Sequence, residues 1–238
     1  MTWASDALAL IHARFEAARD PQRAAPMAAY MRDKFPFLGI AAPQQRVLLD
    51  EALAGTSRPS EGDLSELLGH LWELPEREYQ YAGCGLVARH IKACGPGFLA
   101  TVRTLVTTKS WWDTVDSLAK NGAGGLVLQH PELAASMDRW IESEDMWLRR
   151  TAILHQLGFK QRTDADRLFH YCEMRAPEQE FFIRKAIGWA LREYSKVDAD
   201  AVRSFVAEHE SELSGLSKRE ALLWLNGGRG GKRRPHVV

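Results

Sequence analysis

FFIRKAIGWALREYSK, residues 181–196, places Lys185, Trp189 and Arg192 at i, i+4 and i+7, a spacing that puts all three on one face of an α-helix. Apolar residues recur at helical spacing over about 179–195, and Pro177 separates the segment from what precedes it. The same pattern extends outward in both directions. Helical spacing covers segments near 4–19, 21–34, 43–54, 62–74, 77–94, 97–109, 111–121, 131–141, 144–157, 164–175, 198–210 and 217–226, and no run reads as a strand. Breaks fall at Pro21, Pro43, Pro75, the GPG of 95–97, Pro131 and Gly158. The chain therefore reads as all-α, with roughly a dozen helices on short links. Successive helix pairs recur every ~35–45 residues, the range of HEAT-type repeats, which predicts an α-α superhelix whose concave groove can cradle something long. A compact bundle of irregular topology would give much the same pattern.

Composition narrows the function classes. The chain has 238 residues, 45% of them hydrophobic and 26% charged, enough for a sizeable core and no case for wholesale disorder. Lys and Arg number 31 and so do Asp and Glu. Attraction to nucleic acid must then come from a local basic surface, not from the global balance. Cys84, Cys94 and Cys172 match neither a disulfide framework nor a zinc motif, and His70, His90, His130, His155 and His170 lack ligand spacing. No metal and no cofactor is expected. The first twenty residues lack a basic region followed by an apolar core, and no segment approaches a membrane span, so a cytoplasmic protein is expected; it is also expected to be a monomer. Residues 1–226 read as the folded domain and 227–238 as a flexible basic tail, with Arg229, Lys232, Arg233 and Arg234 able to attract phosphate loosely.

A second concentration of chemistry lies in KSWWDTVDSLAKN, residues 109–121. With Ser110 as N-cap, Asp113 is the N3 residue and serves the free backbone N–H groups of the first turn. Asp116 lies a turn further in, where it cannot cap, four residues after Trp112 and on the same face. Two readings remain open for this pair. Trp112 can be core with Asp116 paired to a nearby arginine, or the two can form a carboxylate beside an aromatic wall, an arrangement suited to a cationic reaction centre. DMWLRRTAILHQLGFK, residues 145–160, adds Trp147 and Arg150 three apart on one helix face after the acidic Glu144 and Asp145. The stripe of Lys185, Trp189 and Arg192 can hold a phosphate backbone while stacking on a sugar or base, or can be a snorkelling amphipathic face.

At these residues the chain resembles the DNA alkylation repair (AlkD-like) DNA glycosylases, which are built from HEAT-like repeats. SWWDTVD (110–116), MWLRRTAILHQL (146–157), EFFIRKAIGWALREYSK (180–196) and LSKREAL (216–222) look like that family's signature segments in its order. MRDKFPFLGI (31–40) looks like its N-terminal signature. The resemblance covers about residues 5–226. It implies that Asp116 is the catalytic carboxylate, that Trp112 and Trp189 flank the lesion, that Arg150 grips the backbone, and that Tyr30 faces DNA. One departure follows FLGI, where the better-studied members carry a glutamine and this chain has Ala41.

The implied activity is hydrolysis of the N-glycosidic bond of cationic alkylated purines, N7-alkylguanine and N3-alkyladenine, in double-stranded DNA, as in base excision repair. Such bases leave without being protonated, so one carboxylate can stabilise the oxocarbenium-like sugar and position water. An open groove would select by charge and leaving-group ability, not by a close-fitting base pocket. No lysine stands out as a Schiff-base nucleophile, which predicts a monofunctional enzyme without lyase chemistry. Trp147, Lys185 and Arg192 join Arg150 and Tyr30 as expected DNA contacts. The competing class is a non-catalytic HEAT-repeat scaffold that binds DNA, branched or damaged DNA included, or protein.

Overall fold

The structure, a computed structural model, describes residues 2–227. Those residues hold fourteen α-helices linked by 3₁₀ and π turns, and no strand. The first six are α1 (Trp3–Ala17), α2 (Pro21–Tyr30), α3 (Ala42–Ala52), α4 (Glu61–Glu73), α5 (Arg77–His90) and α6 (Leu99–Thr107). Next come α7 (Trp112–Ser117), α8 (Gly124–Gln129), α9 (Ala134–Ile141) and α10 (Met146–Leu154). The last are α11 (Ala165–Arg175), α12 (Phe181–Tyr194), α13 (Ala199–Glu208) and α14 (Gly215–Leu222). The all-α class is the one the hydrophobic spacing predicts. The expected basic tail lies outside the described residues apart from Gly227.

Local chemistry sets the helix ends. Asp20, Ser60, Asp145, Asp164, Asp198 and Ser214 cap α2, α4, α10, α11, α13 and α14 by accepting from backbone N–H groups of the first turn. The segment near 217–226 ends four residues early, at Leu222, and two others also depart from the spacing. The one near 21–34 stops at Tyr30, because Arg32 and Asp33 take left-handed φ of 58° and 53°. The one near 111–121 runs on to Gln129, because α7 passes through a π-helical turn, Leu118–Ala123, straight into α8.

The described residues fall into two compact units, one up to Thr101 and one from Val102 onward. In the first, α1 packs on α3 and α4, and α4 on α5, around Ile11, Phe15, Leu64, Leu67 and Leu71. In the second, α10 is central, meeting α7, the π turn, α9, α11 and α12 around Val115, Leu118, Ala152, Ile153 and Ile187. Helix α8 can sit close beside α10 because residue 124 is glycine: a Cβ there would lie 2.0 Å from the carbonyl oxygen of His155. Helix α12 makes its most extensive packing against α14.

Candidate functional site

The candidate side chains of the second unit rest on α7, α10, α12 and α14. Helix α7 begins one residue later than predicted. Its N-cap is Trp111, in extended backbone at φ −157° and ψ 160°, and Ser110 instead donates its hydroxyl to the Val106 carbonyl at 2.6 Å. Asp113 is thus N2, still in the first turn where a carboxylate favours the helix dipole. Asp116 remains a turn inside, as expected.

The two adjacent tryptophans have different fates. Trp111 is buried and packs with Trp147 and Phe182, ring centroids 5.8 Å and 5.0 Å away, and those two rings lie 5.1 Å from each other. This aromatic cluster ties α7, α10 and α12 together. Trp147, expected at DNA, is half-buried with its ring in that cluster. Trp112, the first residue of α7, is half-buried, and so is Trp189.

Arg150 reaches Asp116 from α10 in a two-pronged ion pair: Nε donates to Oδ1 at 2.7 Å and Nη2 to Oδ2 at 2.9 Å. Its remaining arm, Nη1, donates to the Phe182 carbonyl in the first turn of α12. The Arg150 side chain is 3% exposed and that of Asp116 15%. A guanidinium expected to grip phosphate is therefore buried here against the carboxylate. Burial pushes the Asp116 carboxyl above its ordinary range and Asp113 adds to the rise, while the charge and hydrogen bonds of Arg150 pull it down without prevailing. The neighbouring Arg149 turns elsewhere, to Glu178 and to the Ser143 and Glu144 carbonyls that precede α10. Asp145 caps that helix by accepting from Trp147 and Leu148 N–H at 2.7 Å and 3.1 Å, which fixes the start from which Arg150 projects.

The stripe on α12 is present, with a partner that the spacing of α12 did not disclose. Lys185 Nζ and Arg192 Nη1 donate to the two oxygens of Glu220 on α14, at 2.5 Å and 2.7 Å. Glu220 lies in LSKREAL, so its segment is marked in the sequence, but its role is not. It can reach α12 because residue 188 is glycine, where a Cβ would stand 2.5 Å from the Glu220 Cβ and 2.9 Å from the Ser217 carbonyl oxygen.

In the first unit, Tyr30 ends α2 and is 62% exposed. Ala41 is the N-cap of α3 and offers its first turn no side-chain acceptor. The loop before it is fixed by a buried acid absent from the sequence reading: Leu38, Gly39 and Ile40 donate their N–H groups to the Glu78 carboxylate at 2.9, 2.8 and 3.1 Å. Burial drives the Glu78 carboxyl up and these donors counter it only in part. Arg77 beside it is buried with its guanidinium 3.9 Å from the Phe35 ring centroid. Two adjacent charges at the start of an apolar-spaced helix were the signal available for this anchor.

Among the described residues no group of three or more His, Cys, Asp or Glu could hold a metal ion. None of the described helices is long and apolar enough to cross a membrane. His155 is buried, its Nδ1 2.6 Å from the Ala152 carbonyl, and burial takes its pKa down to about 4.

The second unit thus presents a half-buried carboxylate paired with a buried arginine, half-buried tryptophans and a cationic helix face in an all-helical protein. The chain belongs to the DNA alkylation repair enzyme family, which matches residues 11–225. A solved structure from Enterococcus faecalis, described as a predicted DNA alkylation repair enzyme, superposes with a TM-score of 0.81 at 32% identity, over 87% of this chain and 96% of that one. No curated protein matches the chain.

Proposed function

We propose that the protein is a monofunctional DNA glycosylase that hydrolyses the N-glycosidic bond of cationic N7-alkylguanine and N3-alkyladenine in duplex DNA. The observation that carries this reading is Asp116: a carboxylate inside a helix, beyond any capping position, half-buried against the buried Arg150. A carboxylate shielded from water stabilises a nearby cation far more strongly than one in bulk solvent. The positive alkylated base departs as a neutral molecule, taking the bonding electrons and leaving charge at the sugar. Asp116 stabilises that charge and accepts a proton from the water that attacks C1′.

Arg150 fixes the orientation of the acid. Its fork takes one lone pair on each Asp116 oxygen, which leaves each oxygen a second lone pair for the attacking water or the charge at the sugar. Arg150 would also meet the DNA backbone, since a guanidinium pairs with phosphate in the same bidentate manner. Trp112 and Trp189 would contact the lesion nucleotide, their ring faces adding to the stabilisation of positive charge. Lys185, Arg192 and Tyr30 would contribute backbone contacts. The test is release of 7-methylguanine and 3-methyladenine from methylated duplex by the purified chain, without added metal. A chain that binds the duplex and releases neither base is a scaffold and not this enzyme.

A further inference from the structure

Glu220 sets a negative charge in the middle of a cationic face. Its side chain is 17% exposed, against 38% for Lys185 and 21% for Arg192. Lys185 and Arg192 stand seven residues apart on α12, ~10 Å along the axis, with Trp189 between them on the same face. Both cationic groups nonetheless converge on one carboxylate. That carboxylate is not on a free arm. The contact at Gly188 holds α14 against α12, and Ser217 fixes the register by donating its hydroxyl to the Arg184 carbonyl at 2.9 Å. Pairing also removes one unit of positive charge from a surface whose proposed partner is a polyanion, which weakens indiscriminate attraction.

We propose that Glu220 is a positioning and specificity-determining residue: it gathers Lys185 and Arg192 to one point beside Trp189, where they meet a single phosphate of the lesion nucleotide, and it limits their hold on undamaged duplex. This rests on the glycosylase reading above. The carboxylate leaves the trio with one net positive charge, so it engages one phosphate where two loose cations would engage two. Alignment, not total charge, is what Glu220 supplies to the reaction.

The experiment compares the full chain with its Glu220→Gln and Glu220→Asp variants. Binding to undamaged duplex is followed against salt, and release of 7-methylguanine is measured in single turnover at saturating enzyme. Glu220→Gln, which keeps the shape and removes the charge, is expected to bind undamaged duplex about threefold or more tighter. Its log–log salt slope should steepen by about 0.9, the signature of one more phosphate contact. Its base release should slow about tenfold, because the phosphate is no longer held in one place. Glu220→Asp should return the slope to the parent's and recover most of the rate. An unchanged slope and rate in Glu220→Gln, or weaker binding with a lowered melting temperature, would reduce Glu220 to a packing residue and overturn the proposal. Should Glu220→Gln not fold, Lys185→Gln decides: a slope shallower by about 0.9 supports phosphate contact at this trio, and an unaltered slope overturns it. A parent that releases no base while the slopes shift as expected would sink the glycosylase reading and leave the charge-limiting role standing.

Discussion

Asp116 and Arg150 determine each other's chemistry. Burial raises the Asp116 carboxyl and Arg150 holds it down, so under the proposed function base release by the ionised acid should fail as pH drops through a value above the ordinary carboxylate range. Replacing Arg150 removes the opposing influence and the value rises further. The acidic limb of base release by Arg150→Gln should therefore lie at higher pH than the parent's. A single-turnover pH profile measures it, and a limb that stayed in place or moved to lower pH would contradict the pairing. This part of the site was half legible. The spacing of Trp112 and Asp116 left a choice between an ion-paired acid and an acid beside an aromatic wall, and the structure has the ion pair with Trp112 half-buried on the same helix. That the arginine would be Arg150 and not Arg149 depends on how α10 is set against α7, which no local pattern contains.

Most helix boundaries followed spacing and punctuation, whereas contacts between helices did not. The reach of Glu220 to Lys185 and Arg192 and the close approaches at Gly124 and Gly188 are products of packing across 28 or more residues, and the spacing did not disclose the π turn after Ser117. Gly188 tests this scale directly. A methyl there meets the Glu220 Cβ and the Ser217 carbonyl, so Gly188→Ala should destabilise the second unit by about 1–3 kcal/mol. Because the substitution parts α12 from α14, it should also weaken the trio. Thermal melting is expected to drop by roughly 2–4 °C per kcal/mol; an unchanged melting temperature would mean that the two helices are not in such close contact. At α3, Ala41 leaves the first turn without a side-chain acceptor. Ala41→Ser should stabilise the chain by about 1 kcal/mol, read by the same melt, and no gain would show that the exposed N–H groups are satisfied by other means.

For the molecule as a whole, pH stability depends in part on His155, which closes α10. His155 is buried and neutral, with its pKa taken from an ordinary 6.5 down to about 4 by burial. The unfolded chain binds its proton at higher pH than the folded chain does. This contribution to stability is therefore complete above 6.5 and is lost as pH falls toward 4, amounting to about 3 kcal/mol across that window. Melting temperature should decline over this range in the parent and decline less in His155→Gln; equal slopes in both would assign the acid sensitivity to other groups. Net charge is zero, so any hold on DNA comes from local faces, and two arginines in MWLRRTAIL point to separate partners despite adjacency. The central claim is tested by Asp116→Asn, which deletes the charge while keeping the shape. Single-turnover release of 7-methylguanine from methylated duplex should fall about 100-fold or more, with duplex binding within about threefold of the parent and the variant shown folded by its melting transition. An Asp116→Asn protein that releases the base at the parent's rate would contradict the account.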